Sequence, residues 1–338
     1  MKATEVEERA RSVIGSSICW DNHACMPLRP GDDRFLPQLA RVRKAGFDVV
    51  SLNVSFDVVD PHDAFPMLAS FRHWLRNHPE QYRLIDTVAD IEAAKANGQL
   101  AVCFDIEGGN AVAAHPGLVE LFYRLGVRWM LFAYNKNNKL GGGCMDDDSG
   151  LTDYGRTIID EMERVGMVLC CTHVGPRTAR EAIEYSRQPV IFSHSNPARI
   201  HPHPRNISDE LMIACARTGG VVNINGVGMF LGDGSGGWGD SSTETLLRHI
   251  DYVAQLIGPA HVGLGLDYVF DVSELEDLVR QNPEKFPPLC PGDGGYQQVE
   301  PERFPRIVEG LLRMGYSDAD VQAIIGQNNL RVARAVWK

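Results

Sequence analysis

The chain has no basic block, no long apolar run and no glycine-rich phosphate turn, and each absence excludes a class of function. Its 33 Lys and Arg are outnumbered by 44 Asp and Glu, which gives a formal net charge of −11 and a pI of about 5.5. Nucleic-acid partners select for clustered Lys and Arg, so none is expected; the acidity serves solubility. No stretch reaches the roughly eighteen apolar residues of a membrane span. The charged N-terminus MKATEVEERARSV lacks the apolar core of a signal peptide, so no membrane or export role is expected. Neither a G-x-G-x-x-G turn nor a P-loop occurs, which removes the common cradles for dinucleotides and nucleoside triphosphates. No internal repeat is found, and low complexity is confined to GDGSGGWGDSS at 232–242. The cysteines (Cys19, Cys25, Cys103, Cys144, Cys170, Cys171, Cys215 and Cys290) are scattered, several inside apolar runs such as AVCFDI and MVLCCTH. That placement predicts buried free thiols and a reducing, cytoplasmic setting.

What is present is a rhythm. Eight short, β-rich apolar runs recur at 12–20, 47–56, 100–108, 127–135, 166–174, 189–195, 219–227 and 261–269. They are nearly continuous in apolarity, as strands buried on both faces should be. Amphipathic stretches separate them. In LTDYGRTIIDEMERVG, Ile158, Ile159, Met162 and Val165 share one side and Thr152 is placed to cap the helix. ISDELMIACARTGG ends on a glycine pair suited to helix termination. Eight βα units predict a single (β/α)₈ TIM barrel domain over 1–338, of the α/β class, with a doubly wound sheet as the alternative.

Barrel enzymes keep their chemistry at the carboxyl ends of the strands. At those ends stand His23 and Cys25, then Asp105 and Glu107, Tyr134 and Asn135, His173, His194, and Asp267. A single histidine there is more often structural. His173, His194 and Glu107 together suit a borderline divalent ion such as Zn²⁺. His62, His73, His78, His115, His201, His203, His249 and His261 fall in helical or loop contexts and are taken as surface or structural residues.

At this level the chain resembles the membrane (renal) dipeptidase family, a branch of the amidohydrolase-type metal-dependent barrels. The similarity rests on DNHACMP (21–27), DIEGG (105–109), GLTDYGRTIIDEMERVGM (150–167), CTHVG (171–175), FSHSN (192–196), Arg205-Asn206, GLGLDY (263–268) and IIGQNNLRV (324–332), in the family's order. The resemblance implies that Glu107 bridges two zinc ions, that His173 and His194 hold the second ion and that His23 holds the first. It likewise implies that Asp267 carries the proton and that Arg205 grips the substrate carboxylate. Tyr134 and Asn135 would face the substrate. The substrate would be a dipeptide or an N-acyl amino acid, and a homodimer is the assembly the family suggests.

The departures bear on all of this. Cys25 stands where the family has an aspartate ligand, Tyr134 where the dipeptidases have a histidine, and DYVF (267–270) where they read DFDG. Three readings of Cys25 stay open: a thiolate ligand, a neighbour of an empty first site, or a small packed hydrophobe. One or two zinc ions are therefore expected, and the joint change at Tyr134 and DYVF favours one. Two rivals to hydrolysis remain. One is a tautomerase or lyase step in the same pocket, and the other is a non-catalytic small-molecule binder.

Overall fold

The computed structural model describes residues 3–232, 240–286 and 296–338. Cys290 and most of the glycine-rich patch at 232–242 lie outside the described residues. Among the described residues, ten strands form one parallel sheet: β1 (Trp20–Cys25), β2 (Val49–Phe56), β3 (Tyr82–Leu84), β4 (Leu100–Glu107), β5 (Val127–Leu131), β6 (Val168–Cys170), β7 (Ile191–Phe192), β8 (Val221–Ile224), β9 (Val262–Leu264) and β10 (Tyr268–Val269). The order β1-β2-β4-β5-β6-β7-β8-β9 closes on itself where Asp21 of β1 pairs with Leu264 of β9. The fold is therefore an eight-stranded (β/α)₈ barrel. β3 adds to the first residues of β4, and β10 resumes the pairing with β1 at Ala24 and Cys25. β9 and β10 are thus one barrel strand broken at 265–267.

One expectation is corrected. The apolar run at 12–20 does not form the first strand. Residues Ala3–Ser16 are a helix, and the strand begins at Trp20. Val6, Ala10 and Val13 are buried on one face of that helix at helical spacing, so Val13 belongs to a helix stripe. The strand itself reads WDNHAC, too polar to show as an apolar run.

The helices follow their sequence signals. Thr152 Oγ1 accepts a 2.9 Å bond from Gly155 N and starts the helix Asp153–Val165, which buries Ile158, Ile159, Met162 and Val165. The helix Asp209–Arg217 stops at Thr218, and Gly219 takes the left-handed φ of 83°. The barrel interior is filled by Trp129, Leu131, Val168, Cys170, Ile191 and Val221, which pack against Val332 and Val336 of the last helix, Asn328–Val336. That helix closes the amino-terminal end and leaves the carboxyl ends of the strands open to the site. Among the described residues, no helix is long and apolar enough to cross a membrane.

Candidate metal centre and pocket

Among the described residues, three other than glycine have positive φ: Asn135 at 61°, His173 at 65° and Asp267 at 57°. Asn135 and His173 follow β5 and β6, and Asp267 lies in the break between β9 and β10. Left-handed backbone is uncommon for side-chain-bearing residues and persists where surroundings over-determine it. Here they do. Asn135 Oδ1 accepts from His173 Nδ1 at 2.8 Å, and its Nδ2 donates to Lys285 O at 2.9 Å. Asp267 N donates to His23 O at 3.0 Å, and its Oδ2 accepts from Asn225 Nδ2 at 2.9 Å. The break in the eighth strand thereby sets the other carboxylate oxygen, Oδ1, 3.5 Å from His23 Nε2 and 3.6 Å from Cys25 Sγ.

Strand alternation supplies the remaining groups. Asp105 and Glu107 are two residues apart on β4 and share the inner face, as do His23 and Cys25 on β1. Glu107 Oε1 is the hub. It lies 3.2 Å from His194 Nε2, 3.3 Å from His173 Nε2 and 3.6 Å from His23 Nε2, yet it makes no hydrogen bond. The His173 and His194 Nε2 atoms are 3.1 Å apart, and the His23 and His194 rings stack at 4.2 Å. Among the described residues, donor atoms within 4.8 Å of one another form the sets Glu107-His173-His194, His23-Cys25-Glu107 and His23-His194-Asp267.

These donors fit a divalent ion. Nitrogen and oxygen donors about 2.0–2.1 Å from one tetrahedral ion sit about 3.3 Å apart. The Glu107-His173-His194 separations of 3.1, 3.2 and 3.3 Å match that value. Burial holds both His173 and His194 well below the usual imidazole pKa, so both are neutral lone-pair donors. The Asn135 carbonyl fixes the proton of His173 on Nδ1 and leaves Nε2 bare; Ser193 Oγ contacts His194 Nδ1 at 2.9 Å. Burial also pushes Glu107 up to about 8, partly offset by His23, so a cation beside its unpartnered oxygen would stabilise the carboxylate.

Above this floor opens a pocket with an empty volume of about 900 Å³, continuous with solvent. Its walls are mostly apolar: Met26, Leu28, Phe56, Met229, Leu278 and Phe286 among others. Arg205 lines it, is 3% exposed, and has no hydrogen-bond partner on any of its three side-chain nitrogens. Its guanidinium lies 5.0 Å above the Phe230 ring. Asp209, the carboxylate next along the chain, accepts from the Tyr252 hydroxyl instead. A buried, unpaired guanidinium is costly, and it suits a carboxylate ligand that arrives from outside.

The structure gathers every residue singled out in the sequence. Cys25, Glu107, Tyr134, Asn135, His173, Arg205 and Asp267 line this pocket, and His23 and His194 lie fully buried in its floor. Tyr134 stacks on the His173 ring at 4.0 Å, and burial raises its phenol well above the ordinary value, so it stays protonated. Asn135, expected against the substrate, spends both ends of its amide on His173 and Lys285. Sequence reasoning assigned no role to Asp105, which contacts His23 Nδ1 at 3.2 Å and is itself held by Ser51 and Asn53. Its signal was the two-residue spacing from Glu107. Ser193 and Asn225 carried no comparable signal.

Residues 43–283 match the family model described as membrane dipeptidase, peptidase family M19. An uncharacterised dipeptidase of Schizosaccharomyces pombe is 29% identical over 265 residues, covering 77% of this chain and 58% of that protein. The dipeptidase ataJ of Aspergillus terreus is 29% identical over 283 residues, covering 77% of this chain and 63% of that protein. The chain thus spans 58% and 63% of the length of these relatives. The crystal structure of an amidohydrolase from Pseudomonas aeruginosa superposes with a TM-score of 0.87 at 27% identity, over 97% of this chain and 99% of that one.

Proposed function

The chain belongs to the membrane dipeptidase family, and from that premise we propose that it is a zinc-dependent hydrolase of dipeptides or closely related small amides with a free carboxylate. One observation carries the reading. The Glu107-His173-His194 donors converge at ligand spacing beneath a pocket whose buried cation, Arg205, has no partner of its own. When bound there, a divalent ion supplies Lewis acidity toward an amide carbonyl and lowers the pKa of water.

The chain's own residues do the rest. Arg205 binds the substrate carboxylate through its planar fork, which orients the scissile amide over the floor. Asp267 turns Oδ1 toward the centre while Asn225 holds Oδ2, so it is placed to take a proton and return it to the leaving amine. Tyr134, protonated and packed on His173, offers a neutral O–H to oxyanion charge. The apolar walls exclude water and strengthen these interactions. Every cysteine among the described residues is unpaired, and this supports a reducing, cytoplasmic setting.

A panel of dipeptides, each paired with its C-terminal amide, tests the reading with zinc-loaded protein. Free-acid dipeptides are expected to yield two amino acids, and the amides are expected to resist. Equal rates on both series would contradict the Arg205 role. An isomerised or eliminated product in place of C–N cleavage would contradict hydrolysis.

A further inference from the structure

We propose that Cys25 is a metal-ligating thiolate, which with His23 and Glu107 completes the first of the two ion sites that membership of the family implies, with sulfur in place of the family's carboxylate. The inference rests on the hydrolase reading only in taking the ion on Glu107, His173 and His194 as bound. It departs from the single-ion expectation drawn from the sequence.

The spacing is the first support. Cys25 Sγ lies 3.4 Å from His23 Nε2, and Glu107 Oε1 lies 3.6 Å from the same nitrogen. The oxygen–nitrogen gap is longer than the roughly 2.7–3.2 Å of a direct hydrogen bond, and the sulfur–nitrogen gap is one that a thiol contact also allows. A nitrogen at about 2.0 Å and a sulfur at about 2.3 Å from one tetrahedral ion sit about 3.5 Å apart. The nitrogen–sulfur gap matches donors around a common ion, and the nitrogen–oxygen gap is a few tenths of an ångström wider than the roughly 3.3 Å of a bound pair.

The orientation of His23 is the second. Asp105 places its two oxygens 3.2 and 3.3 Å from His23 Nδ1, and Ser51 Oγ and Asn53 Nδ2 donate to Asp105 at 2.6 and 3.2 Å. A carboxylate behind a histidine fixes its proton on Nδ1 and aims the lone pair of Nε2 at a metal. That lone pair faces Cys25 and Glu107.

Charge is the third. Asp105, Glu107 and Asp267 converge on this end, and the ion pairs that Asp105, Glu107 and Asp267 make among the described residues are with histidines alone. Such a concentration of carboxylate in a buried place calls for cations. Glu107 Oε1, shared by both donor sets and without a hydrogen bond, is placed to bridge two of them. The surroundings of Cys25 differ from those of a packed thiol. Cys103 and Cys170 sit in apolar clusters, whereas Cys25 lines the pocket between His23 and Asp267.

A sulfur donor makes this centre softer than the carboxylate version and favours zinc or cobalt over magnesium or manganese. Titration of metal-free full-length protein with Co²⁺, followed by near-ultraviolet absorption and by metal content, tests the assignment. The wild type is expected to bind two ions per chain and to develop an intense sulfur-to-cobalt charge-transfer band with one of them. Cys25→Ala is expected to bind one ion with no band. Cys25→Asp is expected to bind two with no band and to gain Mn²⁺ binding. In the wild type, bound Co²⁺ should also shield Cys25 from alkylation, as mapped by mass spectrometry, which reads the same bond without any variant. Saturation of the wild type without a band, or a band that survives in Cys25→Ala, would overturn the proposal. Dipeptide turnover by protein lacking the band leaves the hydrolase reading standing; protein that binds no cobalt at all removes both.

Discussion

The two ends of the barrel use the same strands and leave different groups unsatisfied. At the amino-terminal end, Trp20 and Val49 pack with Leu330 and Ala333, and Val168 and Val221 pack with Val332 and Val336. Asn329 there donates to Asn223 Oδ1 at 2.8 Å; the unpartnered donors on Trp20, Asn22 and Trp129 are neutral, and Arg128, whose Nε also lacks a partner, spends its other two nitrogens on Tyr123 O, Val127 O and Asp86. At the carboxyl end the unpartnered atoms that line the pocket belong to groups that carry charge, Glu107 Oε1 and, unlike Arg128, the whole guanidinium of Arg205. A neutral donor without a partner costs about 1–3 kcal/mol, a buried charge considerably more. One end of the molecule therefore serves stability, and the other withholds stability for ligands that complete it.

The largest effect should come from the hub of the open end. Glu107→Ala removes the oxygen common to both donor sets, so metal content per chain should fall to zero and hydrolysis to background. Full activity with metal retained in that variant would erase the contrast between the two ends.

Arg205 sharpens the comparison because it separates function from stability. Arg205→Ala should lower kcat/KM by about 2–4 kcal/mol, roughly 30- to 1000-fold. Arg205→Lys should recover only part, since a bidentate fork becomes a point charge. Arg205→Met should be similarly inactive, yet stabilised on the order of 1–2 kcal/mol in chemical denaturation, because it removes an unpaired buried charge while keeping apolar bulk. Lower stability in Arg205→Met would show that the guanidinium has partners of structural weight.

Leu330→Ala probes the closed end. Leu330 is buried against Trp20 and Val49, and its truncation should cost about 2–5 kcal/mol in denaturant unfolding. The kcat of the folded fraction and the metal content should stay unchanged. A change in either would mean that the two ends are coupled through the barrel interior.

The smallest expected effect is at Asp105, which orients His23 without touching substrate. Asp105→Asn should weaken metal binding about 10- to 100-fold at the ion held by His23 and leave the ion on His173 and His194 in place. Competition with a chromophoric chelator, one ion at a time, reads this directly. Equal weakening of both ions would assign Asp105 to general packing.

The same contrast explains what could be read from the sequence. Seven of the eight barrel strands announced themselves as apolar runs because their inner residues fill the core. The first did not, since β1 carries Asp21, His23 and Cys25, whose polarity hides a strand from any hydrophobic pattern. The apolar run chosen in its place overlaps a helix that buries Val6, Ala10 and Val13. The candidate site residues that the structure brings together were legible where motif and strand end coincided, as at Glu107, His173, His194 and Asp267. The orienting residues were not: Ser51, Asn53, Ser193 and Asn225 are small polar side chains whose roles exist only once distant strands meet. The identity of the left-handed positions was equally hidden, because Asn135, His173 and Asp267 acquire their backbone from contacts far along the chain.

The central claim is that the open end is a metal-dependent site for cleaving small C–N bonds. The most direct test removes all metal from the purified protein with a chelator, restores zinc stepwise, and measures free amino acid released from a dipeptide at each step. The account predicts no release from the metal-free protein and a rate that rises in proportion to bound zinc until the site saturates. Release that persists undiminished after the metal is gone, or its absence from fully loaded protein across the dipeptide panel, would contradict it.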